Sequence, residues 1–559
     1  MSKAKNGFIF GAIILVICNL VTKFLSAIYK VPLLRVLGSE GLGQYQMIFP
    51  IYALFLVISS SGIVVTISKL TSKQLEVKNY TNAKRYFFAG FLLSLFSSTI
   101  LSVLLLILSP ALSKFQANSN LTKSYIAIVP AIIFGSLMTA LRGYFLGKKK
   151  MGYSGLMQII EATSKLVFSL SFAIFFAKKS YFSAVFGAIL GLSVSEMVSF
   201  LFSIMLYLFS KNKEKRKYTS MIFNKKRRYF LCKSSCVCDG FNEKKYNVKN
   251  RYISFFYALK KVVTFSFFVM MQACAIPLVS AVDSLIVVPL LLKTGLSQAI
   301  SFSLYGLEDG IVSSIISLPT FVATAIGASI IPNIKKENAN NELTIKNIKN
   351  SFSIVWLVSI FCAFVFLFFS KEIIIFLYGG GLTSFAVNEL QIASDLLKIN
   401  SFNIIYLSLI IISTSILQAL EKNKAPVINL FCAAILRTFF LLILVSSKKV
   451  NIYGTAICDM VFYSFALYLN LISIRRIVQF KLNINKLFVL PTISCLVMSI
   501  VMKLFNSLLY GYISSRFLTM IILILGVVLY YALLCITKTI NTKEILSVWG
   551  KNKRIKITN

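Results

Sequence analysis

The chain has 559 residues, of which 57% are hydrophobic and only 14% charged, with a mean hydropathy of +0.81. A water-soluble protein carries about 25% charged residues, so a soluble enzyme is excluded and an all-α polytopic membrane protein is expected. Histidine is absent, which also excludes imidazole as a general base, metal ligand or proton relay. The formal net charge of +41, from 59 Lys+Arg against 18 Asp+Glu, invites comparison with nucleic-acid-binding proteins. The basic residues are mostly lysine, lie between apolar runs and form no continuous face, so no nucleic-acid partner is expected.

Fourteen apolar runs of bilayer length, about 20 residues each, are predicted along the chain. The first six cover 8–29, 45–68, 86–110, 124–146, 154–177 and 182–209. The next six cover 261–283, 305–331, 351–377, 397–418, 425–446 and 452–473, and a last pair covers 487–509 and 517–537. The first run follows Lys3 and Lys5, is too long for the apolar core of a signal peptide, and lacks a small-residue cleavage site. It is expected to be retained as the first helix.

Ionisable residues within these runs are the candidates for function, because a charge at bilayer depth is costly and usually faces a cavity or a partner. Lys23 stands in an otherwise apolar Leu20–Leu25 segment, Lys30 shares its face seven residues on, and Arg35 follows near the outer boundary. Snorkelling is the alternative reading for the lysines. Arg142 lies near the inner end of the fourth run, while Glu161 and Lys165 stand at i, i+4 on the fifth and are expected to pair. Asp283 ends the seventh run; it pairs with a first-run lysine or caps a helix boundary. Glu196, Arg437, Asp459 and Lys503 also fall within runs without an assigned role, and Glu308 and Asp309 read as interfacial.

Lys and Arg collect in alternate loops, among them Lys148–Lys150, Lys335–Lys336, Arg475–Arg476 and the whole 210–260 segment. By the positive-inside rule these are cytoplasmic, placing both termini on the inner side of the cytoplasmic membrane. The organisation expected is an N-lobe (1–210), a basic cytoplasmic loop (211–260), a C-lobe (261–480), an appended helix pair (481–540) and a basic tail (541–559). Cys232, Cys236 and Cys238 cluster in the loop, but three thiols without histidine fall short of a four-ligand zinc site. No metal or other cofactor is expected.

Two echoes indicate an internal repeat. Val31-Pro32-Leu33-Leu34 followed by Gly38 matches Val288-Pro289-Leu290-Leu291 followed by Gly295, and Leu146-Gly147-Lys148-Lys149-Lys150 matches Leu420-Glu421-Lys422-Asn423-Lys424. An even number of spans per half makes the repeats parallel, related by an axis along the membrane normal, an arrangement in which substrate binds between the halves. The N-lobe would then turn Lys23, Lys30, Arg35 and Arg142 toward an internal space that attracts an anion.

The residues from Arg35 through Gln46-Met47 into Phe49-Pro50-Ile51-Tyr52 resemble the multidrug/oligosaccharidyl-lipid/polysaccharide (MOP) exporter superfamily, within it the stage V sporulation protein B branch of polysaccharide and lipid II flippases. So do Leu141-Arg142-Gly143-Tyr144 with Gln158-Ile159-Ile160-Glu161, and Asp283 through Pro289 with Leu318-Pro319 and Ile331-Pro332. The resemblance spans essentially the full chain. It implies a V-shaped, fourteen-helix bundle working by alternating access on an undecaprenyl-linked oligosaccharide or peptidoglycan precursor with an anionic headgroup. The appended pair would hold the lipid tail. Cavity arginines of the family correspond in position to Lys23 and Lys30, and Leu290 and Leu291 stand where the family has arginine after Val-Pro. Cell-wall synthases are candidate partners through the loop, alongside membrane lipids. A cation-coupled multidrug exporter and a non-transporting scaffold are the alternatives. No phosphate-binding loop Gly-x-x-x-x-Gly-Lys-Ser/Thr occurs, so hydrolytic driving is not expected.

Overall fold

The computed structural model describes residues 2–232, 253–331, 341–379, 387–478 and 488–537 with 334 and 539, omitting 78, 179, 180, 510, 511 and 513. Most of the basic loop, including Cys236 and Cys238, and the tail 541–559 therefore lie outside the described residues. Among those described, the chain is helical throughout. The N-lobe consists of α1 (Ser2–Glu76), α2 (Tyr80–Phe115), α3 (Leu121–Gly147), α4 (Met151–Ala177) and α5 (Tyr181–Cys232). The C-lobe begins with α6 (Phe255–Lys293) and α7 (Gln298–Tyr305), then a π-helical turn (Gly306–Val312), α8 (Ser313–Ser317) and α9 (Thr320–Ile330). It continues with α10 (Glu342–Phe368), α11 (Ser370–Tyr378), α12 (Val387–Asn400), α13 (Asn403–Ala419), α14 (Lys424–Leu444) and α15 (Tyr453–Arg475); α16 (Leu490–Leu509) and α17 (Ser515–Ile536) follow.

The apolar part of α1 runs for 63 residues, about 95 Å at 1.5 Å per residue. That is roughly three times the hydrocarbon thickness, so α1 must cross twice, and it breaks at Gly38 (φ 70°, ψ 177°). Residues 298–317 are long and apolar enough for one crossing, with the short apolar helix Thr320–Ile330 following, and α12 and α13 form a pair bent by 44°, counted here as one crossing. With these readings, the described helices supply the fourteen crossings expected. The eighth differs from the sequence expectation: it is not one helix but α7, the π turn, α8 and α9 in succession.

The two sequence echoes fall on matching backbone features. Gly38 and Gly295 are the described glycines with positive φ, 70° and 91°, a conformation only glycine adopts without penalty. Each breaks the chain after a Val-Pro-Leu-Leu helix end. The second echo is also structural, in a different register. The amides of Lys148, Lys149 and Lys150 donate to the carbonyls of Tyr144, Leu146 and Phe145. Those of Leu420, Glu421 and Lys422 donate in the same pattern to Ile416, Gln418 and Leu417. The positive-φ residues are Lys149 (58°) and Glu421 (60°), two positions off the pairing suggested by sequence. Both ends are αL-type helix stops.

Small and hydroxyl residues let the helices approach closely, as expected where lipid supplies no hydrophobic contrast. Along α2, Ser94, Ser98, Ser102, Ser109 and Ser113 are buried, and Ser94 donates to the Ser136 carbonyl on α3 at 2.9 Å. The lobes meet where Gly43 of α1 crosses Gly306: a Cβ on Gly43 would overlap the Phe302 carbonyl, and one on Gly306 the Ser39 carbonyl. Gln116 bridges the same region, donating to Met47 O (2.9 Å) and Ser284 O (3.0 Å). Ser39 and Ser303 both donate to Glu389 Oε1 at 2.6 Å. Further along α1, Gly62 lies directly against the Ser266 backbone of α6, so the second crossing is the seam between the halves.

Candidate functional site

Because α1 stays helical through Pro32 to the Gly38 break, the first crossing sets Lys23, which is exposed, and Lys30, which is half-buried, along the same cavity. That cavity, of about 290 Å³, is lined by Lys23, Tyr29, Lys30, Gln46, Lys165 and Ser317 among others. Four elements contribute: both crossings of α1, α4, and the α8 region of the broken eighth crossing. A second cavity of about 270 Å³ lies on the other side of Lys30, Gln46 and Phe49 and reaches Ser280 of α6 and Asp309 of the π turn. Lys30, Gln46, Phe49, Ser314 and Ser317 line both, so the two chambers are adjoining.

Lys23 forms no ion pair among the described residues. Lys30 Nζ lies 3.4 Å from the Asp309 carbonyl and likewise has no carboxylate within ion-pair distance among the described residues. Lys165 is bound differently. Its Nζ lies 3.2 Å from Glu196 Oε1 and 3.9 Å from Glu161 Oε1. Arg142 Nη1 approaches the other Glu161 oxygen at 3.6 Å, and the Tyr52 hydroxyl donates to Glu196 Oε1 at 3.0 Å. The expected Glu161–Lys165 pair is thus present as part of a network of four charged residues on α3, α4 and α5, joined by Tyr52 of α1. Glu196, to which sequence reasoning assigned no role, is its fully buried member.

Asp283 does not meet a first-crossing lysine. Arg437 on α14 forks onto it, with Nη1 on Oδ1 and Nη2 on Oδ2, the latter at 2.8 Å. The same guanidinium contacts Asp459 Oδ1 on α15 through Nε at 2.8 Å and Nη2 at 2.6 Å. Two carboxylates therefore share one buried arginine, a fork geometry that lysine cannot supply. Glu308, read from the sequence as interfacial, is buried instead and accepts from Asn400 Nδ2 at 3.2 Å. Asp309 is also inside, accepting from Gln46 Nε2 at Oδ2 (2.6 Å) and at its carbonyl (3.0 Å). Arg35 is exposed and lines neither cavity. Lys503 lies over the Phe368 ring at 5.9 Å.

Of the sequence candidates, Lys23, Lys30 and Lys165 line the cationic chamber, Arg142 and Glu161 reach it through Lys165, and Asp283 belongs to a separate C-lobe cluster. Gln46, Asp309 and Ser280 join the site; the sequence marks Asp309 only as interfacial and Gln46 only as part of a family-like stretch, and gives no signal for Ser280. Among the described residues, no group of three His, Cys, Asp or Glu is arranged to hold a metal ion.

Residues 9–231 match a protein family described as polysaccharide biosynthesis protein. The chain is 21% identical over 488 residues to stage V sporulation protein B of Bacillus subtilis, covering 86% of each. It is 23% identical over 515 residues to the lipid II flippase MurJ of the same organism, covering 88% of this chain and 86% of the flippase. Among solved structures, lipid II flippase MurJ in an inward closed conformation matches with a TM-score of 0.67 at 14% identity, over 94% of this chain and 98% of that one. A multidrug resistance MATE family transporter of the MOP superfamily, inward-facing, matches with a TM-score of 0.58 at 13% identity, over 81% and 95%. These matches bear out the resemblance drawn from the sequence, and the solved structures bear out the all-helical fold.

Proposed function

We propose that this multi-pass membrane transporter of the MOP superfamily moves an undecaprenyl-linked oligosaccharide or peptidoglycan precursor across the cytoplasmic membrane, its termini on the cytoplasmic side. The observation that carries the reading is the lysine-lined chamber between the lobes, where Lys23 and Lys30 have no carboxylate partner among the described residues. Cations without a counter-ion attract a phosphate-bearing headgroup, the more strongly the less water screens them. Lysines act there as point charges and not as bidentate forks, so diphosphate would be held by charge and by the surrounding hydroxyls. Lys165, already paired with Glu196 and Glu161, orients the chamber wall, and Arg142 supports it through Glu161.

The multidrug alternative needs a free acidic residue for a cationic cargo. Asp283 is the sequence candidate for that role, and Arg437 occupies it.

The test is a reconstituted flipping assay with undecaprenyl diphosphate-linked sugars. Lys23→Ala and Lys30→Ala are expected to abolish flipping while the protein remains at normal abundance and monodisperse. Flipping at the unsubstituted rate by both variants would overturn the assignment.

A further inference from the structure

We infer that the second chamber, centred on Asp309 and Gln46, is a subsite for an uncharged, hydroxyl-rich sugar ring of the cargo, separate from the lysine chamber that takes its phosphates. The inference rests on the transport reading above and deepens it.

The chemistry of the chamber does not suit an ion of either sign. Asp309 would repel a phosphate, while Lys30, with its Nζ 3.4 Å from the Asp309 carbonyl, would repel a cation. A neutral ligand that both donates and accepts hydrogen bonds meets neither obstacle. Gln46 is 2% exposed and gives its Nε2 to Asp309, while its own Oε1 has no partner. A buried, unpartnered amide oxygen costs free energy unless something supplies a donor, and Gln46 lines both chambers. Asp309 spends Oδ2 on Gln46, and Oδ1 has no hydrogen bond among the described residues, so it too can accept.

Hydroxyls complete the wall. Ser280 and Ser313 line the chamber and their side chains make no hydrogen bond among the described residues. Ser314 and Ser317 donate to Gly310 O and Ser314 O, each at 2.8 Å, which leaves their oxygens as acceptors. Phe49 and Pro50 supply apolar surface on one side, as required for the C–H face of a pyranose. Apolar walls with a few placed polar groups are the usual form of a small-ligand site. At about 270 Å³ the chamber has room for one sugar ring. Asp309 is presented by a π-helical turn, an irregularity common at functional positions.

The experiment is equilibrium binding to the full-length protein in nanodiscs, using undecaprenyl diphosphate and undecaprenyl diphosphate carrying one N-acetylglucosamine. Asp309→Asn should weaken binding of the glycosylated lipid roughly tenfold, the loss of a charged hydrogen-bond acceptor, and leave the unglycosylated lipid within about twofold. Lys23→Ala should weaken both. Should Asp309→Asn fail to give monodisperse protein, the double variant Ser280→Ala/Ser313→Ala is expected to show the same selectivity. Equal losses for the two lipids, or no loss for the glycosylated one, would overturn the sugar subsite alone. Failure of the unsubstituted protein to bind either lipid would overturn the transport reading and the subsite with it.

Discussion

Removal of Arg437 gives a sharp test of how the C-lobe is held. Its guanidinium joins three helices: Asp283 on α6, Asp459 on α15, and α14 itself. The side chain is 3% exposed, and the carboxylates are 17% and 19% exposed, so little water replaces it. In Arg437→Met two like charges would face each other with no counter-ion. Breaking a buried pair from one side costs about 3–5 kcal/mol. Here one arginine serves two acids, so the upper part of that range is expected. Arg437→Lys should recover only part of the loss, since an ammonium cannot fork onto two carboxylates. Replacing all three together, as Arg437→Met with Asp283→Asn and Asp459→Asn, removes the charges and should return stability close to its starting value. The assay is thermal unfolding in detergent, followed by fluorescence-detected size exclusion. An Arg437→Met protein that melts with the unsubstituted one would refute the reasoning, as would a triple variant no better than the single.

Two further outcomes follow from the N-lobe and the seam. Lys165→Met should destabilise by about 3–5 kcal/mol, because Glu196 is left buried with only the Tyr52 hydroxyl and no counter-ion, and Lys165→Met/Glu196→Gln should regain most of it in the same melting assay; a double variant as unstable as the single would show that the lysine is not held for charge. Gly43→Val places methyl groups where the Phe302 backbone now lies, so the lobes cannot close at this crossing. A cysteine introduced at Ser39, which is 9% exposed, should then react faster with a water-soluble maleimide in micelles, and unchanged labelling would count against a closed contact there.

What can be read from the sequence divides by distance along the chain. The cost of a charge in the bilayer makes Lys23 and Lys30 conspicuous from sequence alone, since each interrupts an apolar run. The Glu161–Lys165 pair is legible because i, i+4 spacing fixes neighbours on one helix. Even so, the shorter contact of Lys165 is with Glu196 on the next helix, 3.2 Å against 3.9 Å. Asp283 cannot be assigned its partner in this way because Arg437 lies 154 positions away, and spacing says nothing about which helices adjoin. Glu308 and Asp309 read as interfacial beside two glycines, yet the π turn carries both inside. The glycine echo is readable because both halves demand positive φ at the same break. The lysine-rich echo is readable only approximately, since a helix stop depends on the αL position more than on the residue identities around it.

The repeat and the charges obey different rules, and the contrast bears on function. The halves share their breaks at Gly38 and Gly295 and their stops at Lys149 and Glu421. They do not share their ionisable residues. The C-lobe closes two acids on Arg437, and the N-lobe closes Lys165 and Arg142 on two acids. Packing alone requires no more than these satisfied sets. Lys23 and Lys30 stand outside both, on α1, which with α8 borders both chambers; Lys30 reaches only the Asp309 carbonyl, and neither lysine has a carboxylate within ion-pair distance among the described residues. On the proposed transport reading, these two charges are held for the anionic cargo that passes them.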